Sequence, residues 1–303
     1  LLAVSALTFF MVQLLPGDPV DLKIPPEAQQ DQEAVARIRE ELGLNRPVIV
    51  QYASWLGDIT TGDLGNSYIT DQPVINIMRE RLPITLELAA VAIIFAVVLA
   101  IPLGVLSAYK QGRAPDKLIS AGLQMGLSIP NFVVGVFVIW LFAEKLGWFP
   151  ATGWTRLTDS VTGNIKGVVL PAFSLALIDL AVFSRLVRSD MISTLEENYI
   201  LSAKAKGMSD GYILFRHALR PSSLSLVTIV ALNLGGLIGG TVVIEQLFAM
   251  GGIGRQLIDS ILRRDYIVIQ GITVFIATVY VVLNTMVDFV YLAIDPRIRA
   301  GKS

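Results

Sequence analysis

Residues 83–109 read PITLELAAVAIIFAVVLAIPLGVLSAY, a run of 27 residues with a single charge, Glu87. A helix rises about 1.5 Å per residue, so roughly 20 apolar residues cross a ~30 Å hydrocarbon layer. This run is long enough to do so, and Lys110, Arg113 and Lys117 follow it at once. Working outward, five further apolar stretches stand out: Leu1–Leu15, Lys117–Ala143, Val168–Val187, Leu224–Ile244 and Tyr266–Ile294. The pattern predicts an all-α membrane protein with six transmembrane helices. The first stretch has only 15 residues and no initiating Met, and is read as the C-terminal part of a longer helix. The competing reading, a signal-peptide core, lacks a small-residue cleavage site, because LLPGDP follows instead.

Composition agrees. Of 303 residues 53% are hydrophobic and 16% charged, with mean hydropathy +0.63, whereas soluble domains average about 25% charged residues. A net charge of −1, without a Lys/Arg block, gives no reason to expect a nucleic-acid partner. The absence of cysteine excludes disulfides, thiol catalysis and zinc–thiolate sites.

Loop charge predicts the orientation. Pro16–Leu82 carries 11 acids against 6 bases, whereas Arg185–Arg220 carries six bases against four acids. The tail after Asp295 adds Arg297, Arg299 and Lys302. Both termini and the loops after spans two and four are therefore expected on the cytoplasmic side of the membrane, with residues 16–82 outside. In that outer segment, Pro25-Pro26-Glu27 followed by AQQDQEAVARIREELGL predicts an amphipathic helix ending near Gly43, and Leu64–Pro73 reads as loop. The expected organisation is one transmembrane domain over 1–303: a first-helix remnant (1–15), the outer segment (16–82), a five-helix core (83–294) and a tail (295–303).

Placing every charge in a loop or at a span end leaves three acids over, Glu87, Asp179 and Asp288. Intramembrane acids face the bundle interior or water, and mark paths or relays unless a neighbouring helix satisfies them. Asp179, mid-span, is the candidate path-lining acid. Gly235, Gly236, Gly239 and Gly240 form two overlapping small-xxx-small pairs. They fit a lined path, a partner interface or close packing within the chain.

Enzymatic chemistry is missing. Gly301-Lys302-Ser303 resembles part of a phosphate loop, but its upstream glycine would fall on Pro296. The one histidine, His217, lies in a basic loop rather than beside an intramembrane serine, and H-E-x-x-H does not occur. The chain is expected to be a non-catalytic subunit that holds no cofactor or metal.

That basic loop, within residues 195–220, contains SAKAKGMSDGYILFRHALR (202–220). Good helix formers run to Lys206, Gly207 suits a C′ position, and Ser209 can cap a second short helix, Asp210–Leu219. Such a piece is too short to span and too apolar to hang free in water. It could lie on lipid headgroups or dock into a protein groove, and chemistry alone leaves both open.

The loop resembles the cytoplasmic EAA loop of permease subunits of binding-protein-dependent ABC importers. Gly207 takes the glycine position, Ala203 an alanine and Leu219 the leucine, while Leu201, His217 and Arg220 replace the usual Glu, Ile and Pro. Further stretches are similar to the dipeptide/oligopeptide branch: Leu14–Pro19, Gly62-Asp63-Leu64-Gly65-x-Ser67, Arg81–Leu88, Ser128-Ile129-Pro130, Leu170-Pro171-Ala172, Arg264-Asp265-Tyr266 and Asp288…Asp295-Pro296-Arg297. The resemblance implies a second homologous permease subunit, two cytoplasmic ABC ATPase subunits that bind the ATP, and an extracytoplasmic substrate-binding protein. It implies peptide as substrate, though relatives in the branch move nickel, glutathione, opines or sugars. It also implies an ATPase-coupling surface centred on Ala203 to Leu219, with Gly207 setting its shape and Tyr212, Phe215 and His217 entering the groove. Lys204, Lys206 and Arg216 belong to the same surface or contact anionic membrane lipid. A proton-coupled carrier using Asp179, or a non-transporting scaffold subunit, are the readings from other classes.

Overall fold

The computed structural model describes residues 1–14, 20–24 and 32–294, with side chains undescribed at 21, 22, 224, 238 and 287–294. The LLPGDP turn, the Pro25-Pro26 helix start, the Asp288 side chain and the tail from Asp295 therefore lie outside the described residues. Among the described residues there is no strand, only one isolated bridge between Asn66 and Pro73.

Helix α1 (Leu2–Gln13) precedes a single turn, α2 (Val20–Lys23). The expected amphipathic helix appears as α3 (Gln32–Glu41), and Gly43, at φ +65°, supports its exit. Helix α4 (Val48–Thr60) was not expected: its apolar face is broken by Gln51, Ser54 and Asp58, which hides it in a search for long apolar runs. Helix α5 runs Val74–Tyr109, nine residues longer at its start than the apolar run. At about 1.5 Å per residue its 36 residues exceed the hydrocarbon thickness, so the turn bearing Arg79, Glu80 and Arg81 can extend beyond it.

The third expected span is not one helix. Helix α6 (Ala114–Ser128) stops at Ile129, whose extended backbone (ψ 124°) is what a residue before proline prefers, and Pro130 opens α7 (Asn131–Val138). The two axes bend by 103°, and α7 continues as a π-helical stretch, Ile139–Lys145. Helix α8 (Val161–Leu195) is capped by Ser160, whose Oγ accepts from the Gly163 N–H at 3.1 Å. Short α9 (Asn198–Ala205) and α10 (Asp210–Tyr212) follow. A π-helical turn, Ile213–Ala218, then runs straight into α11 (Leu219–Leu247). Helix α12 (Ile253–Arg263) precedes α13 (Tyr266–Ile294), whose bounds are those expected. By length and composition α5, α8 and α13 can each cross a membrane, and two bent pairs raise the described candidates to five.

Two compact units are present. The first comprises residues 1–84 and 251–281. Its core is Val74, Ile77, Met78, Ile253, Val268 and Ile272. The Asp265 carboxylate organises its loop, accepting from Ser67 Oγ at 2.5 Å and from the Tyr68 N–H at 3.2 Å. Burial, and then the Asp265 charge, push the Tyr68 phenol from 10.0 up to about 12. The neutral phenol is thus favoured by folding, so this stabilisation is full below pH 10 and is lost as pH rises toward 12. An alkaline tyrosinate titration should show a late step near 12 in the wild type that Tyr68→Phe lacks.

The second unit comprises residues 85–250 and 282–303, and in it α8 packs chiefly on α11, then on α7 and α6. Phe183, Leu175, Met191 and Phe248 are fully buried there.

Candidate functional site: the loop between α8 and α11

Sequence chemistry ends α9 where expected. Gly207 has φ +77°, a conformation that penalises any Cβ. The Met208 N–H donates to Ala203 O at 3.3 Å and the Gly207 N–H to Lys204 O at 2.9 Å. Those two bonds are the Schellman pattern, which satisfies carbonyls that the helix end leaves open. One residue on, Ser209 Oγ accepts from the Tyr212 N–H at 3.4 Å, and Asp210 sits in the first turn. The chain thus stops one helix and starts another within four residues.

The second helix differs from expectation. It does not end at Leu219 but is continuous with α11, bending by 47° around residue 224. Pro221 lacks the N–H that would bond His217 O in a helix, and that carbonyl instead accepts from the Tyr199 hydroxyl at 3.4 Å. A π-helical register at Ile213–Ala218 carries the chain past this point.

Burial sorts the predicted residues into two sets. Ala203 is buried with Ile200, Ile213, Leu214 and Ala218, forming the inner side that holds the two pieces together. Leu219 and His217 are half-buried, and His217 packs edge-on against Tyr212 with ring centroids 5.3 Å apart. Its Nε2 is buried without a hydrogen-bond partner. Lys204, Lys206, Gly207 and Arg216 are exposed. So are the apolar side chains of Tyr212 (51%) and Phe215 (61%). Tyr199, Leu201 and Met208 are exposed as well, and enlarge the patch beyond the residues picked from sequence. Tyr109, the last residue of α5, donates its hydroxyl to Asp210 at 2.7 Å and ties the loop to a spanning helix.

Two of the three interior acids, Asp179 and Glu87, are described, and both are partnered. Asp179 on α8 accepts from Asn233 Nδ2 on α11 at 3.2 Å, and Glu87 accepts from Trp154 Nε1 at 2.9 Å. A further acid was missed: α11 continues past Ile244, so Glu245 lies inside, fully buried, accepting from Thr85 Oγ1 at 2.6 Å. Counting Glu245 as the first loop residue after span five concealed it. Of the four glycines, Gly235 is buried while Gly236, Gly239 and Gly240 are exposed. A Cβ at Gly236 or Gly239 would meet nothing within 4 Å.

Residues 100–300 match the family described as binding-protein-dependent transport system inner membrane component, and residues 1–89 match its N-terminal component. The chain belongs to this family. It is a permease of the ABC transporter type. It is 40% identical to the oligopeptide transport system permease protein AppB of Bacillus subtilis, over 99% of this chain and 95% of that one. It is 35% identical to the dipeptide transport system permease protein DppB of Alkalihalophilus pseudofirmus, over the same shares. The fold is similar to a chain of the MetNI methionine ABC transporter in inward-facing conformations, with TM-score 0.57, 18% identity, and coverage of 73% of this chain and 97% of that one.

In this permease the loop after α5 and the loop after α8 meet at one end of the second unit. Tyr109–Asp210 joins them, and Arg188 donates from Nε to Asp116 Oδ1 at 2.7 Å and from the second guanidinium nitrogen to Oδ2 at 2.9 Å. Ser107 and the Gly112 N–H bond the same carboxylate.

Proposed function

We propose that this permease forms half of the translocation path of an ATP-driven importer for di- or oligopeptides. An extracytoplasmic binding protein delivers the peptide, a second homologous permease subunit supplies the other half, and two cytoplasmic ATPase subunits bind and hydrolyse ATP. The observation that carries the coupling half of this reading is the exposed Tyr212–Phe215 face, set between a Schellman turn and the start of α11. Peptide as substrate is supported by two relatives similar along nearly the whole chain, an oligopeptide and a dipeptide transport system permease. The charge asymmetry of the loops supports a cytoplasmic location for the joined, cation-bearing ends of α5 and α8 and for both termini.

Reconstitution in vesicles with the co-purifying ATPases and binding protein tests the proposal. Uptake of labelled peptide is expected only with ATP on the ATPase side and binding protein on the other. Uptake that persists without any ATPase and collapses with the proton gradient would replace this reading with a secondary carrier. The ligand carried by the co-purified binding protein decides between peptide and another substrate.

A further inference from the structure

A cavity of about 260 Å³ lies among the end of α5, α6 and α8. Its polar wall is Ser107, Ser120, Gln124, Ser184, Arg185 and Arg188, and Leu127 and Ala181 stand among the apolar residues opposite. The charges there do not cancel. Arg188 is held by Asp116 through two hydrogen bonds. Arg185 donates to the neutral Gln124 Oε1 at 2.6 Å, and among the described residues no carboxylate lies within ion-pair distance of it. Two guanidiniums against one carboxylate leave the wall with one net positive charge.

The hydroxyl next to Arg185 makes a second, independent observation. Ser184 is 1% exposed, yet its Oγ has no hydrogen-bond partner. A helical serine ordinarily bonds the carbonyl four residues back, as Ser174 does to Leu170 O at 2.8 Å in the same helix. A buried hydroxyl left unpaired costs about 1–3 kcal/mol, so an acceptor in the cavity would remove a standing penalty. An oxyanion supplies that acceptor and also answers the unpaired guanidinium, for which phosphate is a matched bidentate partner.

Depth selects the source. The apolar stretch of α8 ends at Val187, so Arg185 and Arg188 straddle the boundary between acyl chains and headgroups, where phosphodiesters are permanently present. We propose that this cavity binds the phosphate of an anionic phospholipid, with Arg185 and Ser184 as its direct ligands and Arg188–Asp116 as the brace that shapes it. On the orientation proposed above, these headgroups are those of the inner leaflet. Lipid retention is read without reference to leaflet, so a reversed orientation moves the site to the other face and does not abolish it.

The test is lipid retention by the intact purified complex, followed by native mass spectrometry after detergent exchange. The wild type is expected to keep phosphatidylglycerol against an excess of phosphatidylcholine. Arg185→Gln should reduce that adduct about tenfold, the loss of one charged hydrogen-bond donor, and Ser184→Ala should reduce it less. Arg185→Lys should restore part of it, which separates charge from misfolding. Lys166→Gln, at the opposite end of α8, should change nothing. Equal retention by wild type and Arg185→Gln would overturn the site. Displacement of the adduct by millimolar inorganic phosphate would reassign it to a free anion and overturn the lipid half.

Discussion

Replacing Tyr212 and Phe215 together by aspartate is expected to reduce ATP-driven uptake to background while this chain remains folded and inserted. Both side chains are more than half exposed, so the permease itself gains little from them. In a docked complex each would be buried, at about 1.5–3 kcal/mol per aromatic or aliphatic side chain. Aspartate removes that and places two carboxylates against the groove, which costs more unless they are paired. A loss of about 5 kcal/mol weakens docking by more than 10³-fold. ATPase co-purification should therefore collapse along with uptake, while thermal unfolding in detergent stays near that of the wild type. Gly207→Pro makes the same point from the backbone, since proline fixes φ near −65° where the chain needs +77°. Gly207→Ala is milder, because the site is open and only the left-handed conformation is strained, by roughly 1–2 kcal/mol. Normal uptake with a Tyr212→Asp/Phe215→Asp permease would remove this face from the coupling mechanism.

The parts of this fold legible in the sequence are those in which one physical signal acts alone. Helix α13 was bounded correctly because Arg264-Asp265 and Asp295-Pro296 bracket a long apolar run whose one charge is Asp288. The break at Ile129-Pro130 was misread because hydropathy continues across it, whereas backbone direction does not. A span and a helix are also different things: the membrane sets the first and hydrogen bonding the second. That difference explains why α5 starts at Val74 and why α11 begins before and ends after its apolar stretch.

For the loop, local chemistry at Gly207 and Ser209 predicted the turn because capping depends on residues close in sequence. What it did not contain was the sidedness of the two helices, which puts Ala203 inside and Tyr199, Leu201 and Met208 outside. Sidedness comes from which element packs behind, and Tyr109, far from this loop in sequence, is part of that support through Asp210. The same holds for Asp179 and Glu87, whose partners Asn233 and Trp154 are identifiable only once the helices are placed.

Glycine gives the sharpest case, and the second large effect. Gly104→Leu is expected to prevent formation of the second unit, whereas Gly239→Leu leaves the isolated chain folded. A Cβ at Gly104 on α5 would lie 2.8 Å from Val187 Cβ and 2.9 Å from the backbone oxygen of Ser184 on α8. Neither atom is the far end of a flexible side chain, so only separation of the helices relieves the clash. Alanine alone should destabilise by roughly 1–3 kcal/mol, the usual range for overpacking, and leucine by more than the contact can absorb. Gly239 has open space around it in this chain, so leucine there is accommodated. Its expected effect is instead on uptake by the assembled importer, because the exposed Gly236–Gly239–Gly240 face is where a partner helix or the path itself can approach closely. The measurement is paired: protease resistance of the membrane-inserted chain, and uptake by the reconstituted complex. Gly104→Leu should lose both, and Gly239→Leu only the second. A protease-resistant Gly104→Leu chain would mean that the α5–α8 crossing tolerates separation and is not the contact that closes this unit.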